Sequence, residues 1–232
     1  MRYSQMAILA TIPVFIINLY AVVSGISWGI NLSEILIILI LFAGFRKRID
    51  PKNVNLIAFV FLSIAAYLHG FIQNDKTIYL ICMMLVMISY IFLYREALNY
   101  TQTENASKFM RIFFVVVLAL NVYFLYGHLE EVQARIKGAL EFGVYWIYYL
   151  NLLVLAIIGL VYYLNSYSRK SVYFISLVLA VVFSDVFRDM ANFYLSDTSV
   201  LLVEYFLKYG AFILVFQFFG TGEKKLRLIN LV

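Results

Sequence analysis

The chain has 232 residues, 64% hydrophobic and 13% charged, with a mean hydropathy of +0.90, so it has too little polar side chain to clothe a soluble globule. Its net charge of +5 does not point to nucleic acid, because the basic residues sit in short stretches between apolar runs and build no continuous phosphate-binding face. What remains is a membrane protein rich in Tyr and Phe, rings that anchor at bilayer interfaces.

A spanning helix needs about 20 mostly apolar residues. Eight candidates follow one another, at 6–24, 31–45, 54–72, 78–94, 111–127, 143–164, 171–195 and 198–219. Pro13 is expected to bend the first. The second has a short apolar part, Ile35 to Phe45, and is extended by Asn31-Leu32-Ser33-Glu34, with Asn31 as cap and Glu34 three residues on. For the third, Asp50 is the expected cap and Pro51 the first helical residue. Cys82, the only cysteine, excludes a disulfide within the chain and is expected to be a small buried thiol in the fourth. Apolar residues at 129, 132, 136 and 140 suggest a short amphipathic helix on the membrane surface after the fifth. Asn18, Asn121 and Asn151 lie within spans and are expected to hydrogen-bond between helices, while Gly25 and Gly29 make a weak GxxxG spacing.

Charge bias supports eight spans. The N-terminus, the loops after spans two, four and six, and the C-terminus carry Arg2, Arg46, Lys47, Arg48, Lys52, Arg95, Lys108, Arg111, Arg169, Lys170, Lys224, Lys225 and Arg227. The opposite side carries only Lys76, Arg135 and Lys137. The positive-inside rule then places both termini in the cytoplasm. The first segment lacks a strong basic start and a small-x-small cleavage site, so a cleaved signal peptide is not expected.

The last two spans carry Asp185, Arg188, Asp189, Glu204 and Lys208 well away from their ends. Each charge near the bilayer centre costs roughly 2.5–3.5 kcal/mol, so five unpaired ones would cost on the order of 10 kcal/mol. They must be paired, protonated or wet, and such residues mark functional sites. Spans seven and eight meet in a tight turn near Ser196-Asp197. Counting from 196, Asp189 and Arg188 lie 7 and 8 residues back and Glu204 lies 8 forward, while Asp185 is 11 back and Lys208 12 forward. Matched depth predicts two cross-helix pairs, Asp185 with Lys208 and Arg188 with Glu204. Spacing also allows Asp185–Arg188, Asp185–Asp189 and Glu204–Lys208 contacts within a helix. Three carboxylates and two cations leave one negative charge in excess, which a proton on one carboxyl removes. A protonated acid beside an ionised one is equipment for acid–base chemistry. A salt-bridge network that only locks the hairpin is the equally weighted alternative. His69, toward the same end of span three, could join the site as base or ligand group, although an interfacial histidine without such a role is the commoner case.

The run SVYFISLVLAVVFSDVFRDMANFYL, preceded by GVYWIYYLNLLVLAIIGLVYYL, resembles the YhhN-like lysoplasmalogenase family. The residues that carry the likeness are Phe183, Ser184, Asp185, Phe193 and Tyr194, followed by an aromatic-rich span eight with Tyr205. The resemblance implies an eight-span fold and hydrolysis of the vinyl-ether bond of lysoplasmalogens to an aldehyde and a glycerophospho-base, with Asp185 at the position of an essential aspartate. The family's third-span Gly-Asp is replaced here by Ala65-Ala66-Tyr67-Leu68-His69-Gly70, the second-span Lys-Pro is missing, and Tyr94 alone stands for the fourth-span His-x-x-Tyr. Arg188, Glu204 and Lys208 are additions to the pattern.

The expectation is therefore an all-α integral membrane protein, a single polytopic domain over 1–232, in the bacterial inner membrane. Asp185 and Asp189 are the candidate catalytic acids, with His69, Arg188, Glu204 and Lys208 binding substrate or supporting them. Bilayer lipid and a lysophospholipid-like ligand are the expected partners; no cofactor or metal is signalled. A non-catalytic lipid-binding or scaffold protein is the alternative. An ion-coupled transporter is disfavoured because no paired broken helices occur. A retinal pigment, which Lys208 brings to mind, has no further signature.

Overall fold

A computed structural model describes residues 2–71, 76–101, 108–136, 138–166, 168–195 and 197–224. Lys137, Ser196, Lys225 and Arg227, used in the charge and turn arguments, lie outside the described residues. The described residues form eight α-helices: α1 Arg2–Val23, α2 Ser27–Phe45, α3 Val54–His69, α4 Lys76–Leu98, α5 Lys108–Gln133, α6 Ala139–Ser166, α7 Arg169–Asp189 and α8 Thr198–Phe219. A π-helical turn, Met190–Tyr194, continues α7. Seven of the eight are long and apolar enough to cross a membrane, and α3 is apolar but only 16 residues long. Leu9, Ile16, Phe61, Val115 and Phe206 are among many large apolar side chains more than half exposed on the outer surface, where lipid replaces water as their solvent. The chain is an integral multi-pass membrane protein.

Several helix starts differ from those expected. Gly25 adopts φ +68°, open to glycine without steric cost, and turns the chain so that α2 begins at Ser27, before Asn31. Glu34 is consequently no capping residue: it lies two turns into α2 and is 2% exposed. Asn53, not Asp50, caps α3, its side chain accepting the Leu56 N–H at 3.1 Å, and Pro51 belongs to the preceding turn. α1 remains one helix through Pro13. No separate surface helix forms at 129–140: Leu129 and Val132 are buried in the last turn of α5, whereas Leu140 opens α6 and is 75% exposed.

Three antiparallel hairpins, α1–α2, α3–α4 and α7–α8, provide the closest packing. Small residues permit it: a Cβ on Gly44 would overlap that of Ala7, and one on Gly159 would sit 3.0 Å from Val178 Cγ2. α6 bridges α4 and α7, while α2 touches α3 and α8 and so closes a ring around a polar interior; α5 packs outside, on α6. Asn18 donates to Ser33 Oγ at 2.6 Å and Asn151 to the Met87 carbonyl at 3.0 Å, both between helices as expected. Asn121 instead donates to Val117 of its own helix.

Lys47 lies over the Tyr3 ring and Gly220 approaches Phe45 and Arg48, so the start of α1 and the end of α8 reach the same end of the bundle. That end is closed by a buried cluster. Lys170 Nζ is 3.5 Å from Glu96 Oε1, Asn55 donates to Glu96 Oε2 at 2.8 Å, and the ammonium lies 3.4 Å from the Tyr100 ring centre. Lys170, counted by sequence as a loop charge, is only 3% exposed. Tyr162 and Ser166 both donate to Glu223, which ties the segment after α8 to the α6–α7 turn.

Candidate functional site

The interior opens at the end away from the termini. A vestibule of about 540 Å³ lies between the first turns of α2 and α4 and the last turn of α3, with Asn31, Gly70, Tyr79 and Cys82 in its wall. Cys82 is thus half-buried rather than fully enclosed, its thiol donating to the Ala66 carbonyl. The floor is made by Glu34, Tyr67, Tyr148, Arg188, Tyr205 and Lys208. Beneath it lies a smaller chamber of about 80 Å³, room for a few water molecules. Asp185, Arg188, Glu204, Lys208, Ser63, Ser89 and Ser184 give the chamber polar groups, and Phe59, Leu93, Leu177, Phe212 and Val215 give it an apolar lining. Tyr67, Val86, Arg188 and Lys208 border both spaces.

α7 supplies the centre of this site, and its register is set at the opposite end by a capping box. Ser168 Oγ accepts the Ser171 N–H at 3.0 Å, and Ser171 Oγ accepts the Ser168 N–H at 3.1 Å. Five turns on, Asp185 and Arg188 share one face, with Nη1 and Oδ1 2.6 Å apart. Tyr148 of α6 donates its hydroxyl to Asp185 Oδ2, also at 2.6 Å. Both carboxylate oxygens are thus engaged, one by a cation and one by a neutral donor. A second nitrogen of Arg188, Nη2, is buried without a hydrogen-bond partner among the described residues.

Consecutive residues on a helix point about 100° apart. Tyr148 therefore meets Asp185, while Tyr149 turns outward to Asp189. Asp189 is fully buried and lines neither the vestibule nor the chamber. It accepts the Tyr149 hydroxyl and the Arg188 Nε–H at 3.2 Å, and lies 3.6 Å from His128 Nε2. His128 Nε2 is also 2.9 Å from the Tyr149 hydroxyl. Asp189 thus holds Arg188 from behind.

The predicted cross-helix pairs, Asp185–Lys208 and Arg188–Glu204, do not form. Lys208 Nζ pairs instead with Glu34 Oε1 at 2.8 Å, across the α2–α8 contact, and lies 5.1 Å from the Tyr67 ring centre. Arg188 pairs with the two aspartates of its own helix. All the same, Asp185, Arg188, Glu204 and Lys208 line one chamber. Glu204 is 4% exposed, its backbone carbonyl accepts the Ser184 hydroxyl at 3.2 Å, and none of the ion pairs among the described residues includes its carboxyl. His69 does not join the site: its Nδ1 is 2.9 Å from the Ala65 carbonyl of its own helix, and it lines neither space.

Glu34, Tyr148, Tyr149 and His128 were missed by sequence. The usable signal for the two tyrosines and His128 was depth, since all three lie in the half of their helices nearer the vestibule. No group of three or more His, Cys, Asp or Glu side chains able to hold a metal occurs among the described residues. At the rim, Asp197 caps α8 by accepting the Ser199 N–H at 2.8 Å, a bond that holds its carboxyl below the usual carboxylate range.

Fold and cavity define a class: a multi-pass helical membrane protein with a charged, water-sized chamber beneath an open vestibule. No protein-family model, no curated protein and no solved structure matches the chain.

Proposed function

We propose that the protein is a divergent relative of the YhhN-like lysoplasmalogenases and hydrolyses the vinyl-ether bond of a lysophospholipid-like amphiphile. The observation that carries this proposal is two buried carboxyls of contrasting environment in one chamber, Asp185 engaged by Arg188 and Tyr148, and Glu204 outside every ion pair among the described residues. A carboxyl clamped by a guanidinium, as Asp185 is, suits a general base, and a carboxyl without a counter-ion suits a general acid. Glu204 replaces Asp189 as the second acid, because Asp189 lines neither the chamber nor the vestibule.

In the reaction Glu204 delivers its proton to the β-carbon of the vinyl ether, giving an oxocarbenium ion. Asp185 takes a proton from water as the water oxygen bonds to the cationic carbon, forming a hemiacetal. Asp185 then returns that proton to the ether oxygen as the carbon–oxygen bond breaks. The hemiacetal hydroxyl proton passes to the Glu204 carboxylate, and an aldehyde and an alcohol leave. One water is consumed and both carboxyls are restored.

In this proposal all eight helices span the membrane and both termini are cytoplasmic. α3 is about 24 Å long at 1.5 Å per residue, short of a 30 Å core, and crosses by packing against α4 with its end recessed beside the vestibule. Substrate then arrives from the non-cytoplasmic face.

A second reading, binding of an amphiphile without turnover, is favoured by the pairing of four of the five charges in spans seven and eight. Purified protein assayed for aldehyde release from lysoplasmalogen, with Glu204→Gln and Asp185→Asn beside it, separates the two. Hydrolysis lost in both variants supports the catalytic proposal. No hydrolysis by the unaltered protein, with lysolipid still bound, establishes the second reading.

A further inference from the structure

A second site lies outside the ring, where α5 leans on α6 and leaves α7 uncovered. The resulting crevice, about 290 Å³, is walled by Phe124 and Leu125 of α5, Leu152 and Ala156 of α6, and Val182 and Val186 of α7. Its upper end stops at His128 and Tyr149, and it is joined there, through Phe124 and His128, to a wide shallow mouth. The mouth differs sharply in chemistry. Tyr123, Tyr126 and Tyr194 surround it together with Glu130 and Glu131. The Arg135 guanidinium lies 5.1 Å from the Tyr194 ring centre, at the outer edge.

Tyrosine faces beside two carboxylates attract an ammonium group, since ring quadrupole and negative charge act together. An arginine at the rim matches a phosphate. Below them, the apolar crevice faces the lipid phase, where an acyl chain is the available occupant. We infer that the α5–α7 crevice binds one phospholipid with a zwitterionic, ammonium-bearing headgroup, its chain against Val182 and Val186 and its ammonium among Tyr123, Tyr126, Glu130 and Glu131. The site is independent of the chamber, since no residue of the chamber lining borders the crevice or its mouth.

The test is native mass spectrometry of the full chain released from detergent with added phosphatidylethanolamine or phosphatidylglycerol. One phosphatidylethanolamine should be retained roughly five-fold more than phosphatidylglycerol, the discrimination that a cation–π contact with a nearby carboxylate supplies. Glu130→Gln with Glu131→Gln should abolish that preference while leaving the circular-dichroism melt unchanged. Val186→Phe should fill the crevice and remove retention of both lipids. Asn121→Trp, at an exposed position on the crevice edge, does the same should Val186→Phe not fold. Equal retention of the two lipids, or undiminished retention in the folded crevice variant, overturns the inference.

Discussion

Lys208 and Glu34 offer the sharpest test of how the bundle is held. Lys208→Met removes the cation 2.8 Å from a carboxylate whose side chain is 3% exposed. The carboxylate is then stranded in the interior, and breaking a buried pair in this way costs about 3–5 kcal/mol. Lys208 itself is 27% exposed toward the vestibule, so some water reaches the pair and the lower half of that range is expected. Lys208→Met combined with Glu34→Gln removes both charges and should recover most of the loss. Lys208→Met combined with Asp185→Leu should not, because Asp185 answers to Arg188 and Tyr148. Unfolding by SDS titration in mixed micelles gives the four corners of each cycle, and only residues in contact should show a coupling term. Strong coupling of Lys208 to Asp185, with none to Glu34, refutes the pairing.

Tyr148→Phe deletes a charge-assisted hydrogen bond to Asp185 worth about 1.5–3 kcal/mol and, under the proposed chemistry, should lower aldehyde release with the fold retained; melts alongside turnover assays check it. Gly44→Val forces a side chain into Ala7 across the α1–α2 contact and should destabilise by about 1–3 kcal/mol or more in the same titration. Cysteines placed singly at 46–48, 50–52 or 169 of a Cys82→Ser background should react only from the cytoplasmic side, and labelling of 46–48 or 50–52 from outside refutes the orientation. Because the Asp197 carboxyl is held low, its capping contribution is present at neutral pH and is lost as pH falls through its folded value; Asp197→Ala should flatten the acid limb of a stability profile without altering its neutral limb's shape.

The helices were legible because hydropathy over about 20 residues is a strong signal, and the locations of seven long apolar helices follow from it. Their ends were less so. Ser27-Trp28-Gly29 looks like a loop by composition, yet the turn at Gly25 frees it to start α2. Asp50-Pro51 has the pattern of a helix start, but Asn53 supplies the cap. In the site, counting from the turn matched the heights of Asp185, Arg188, Glu204 and Lys208, which line one chamber. It failed on partners because distance along a helix gives height and says nothing of which neighbour stands opposite. Lys208 looks across to α2, and Asp189 looks away from the cavity to α6 and His128. Glu34 is masked in the sequence by Asn31-Leu32-Ser33-Glu34, which has the pattern of a helix start.

The Lys208–Glu34 bridge also sets an order of events during synthesis. The two residues are 174 positions apart. At roughly 5–20 residues per second, about 9–35 seconds separate their emergence from the ribosome. Over that interval α2 carries an acidic side chain into the membrane with no counter-charge yet made. The growing chain must therefore keep Glu34 protonated, beside water or within the insertion machinery until α8 arrives, so α2 completes its contacts only with the last helix. A chain truncated after α7 would hold that hairpin in waiting indefinitely, a ready mark for membrane quality control.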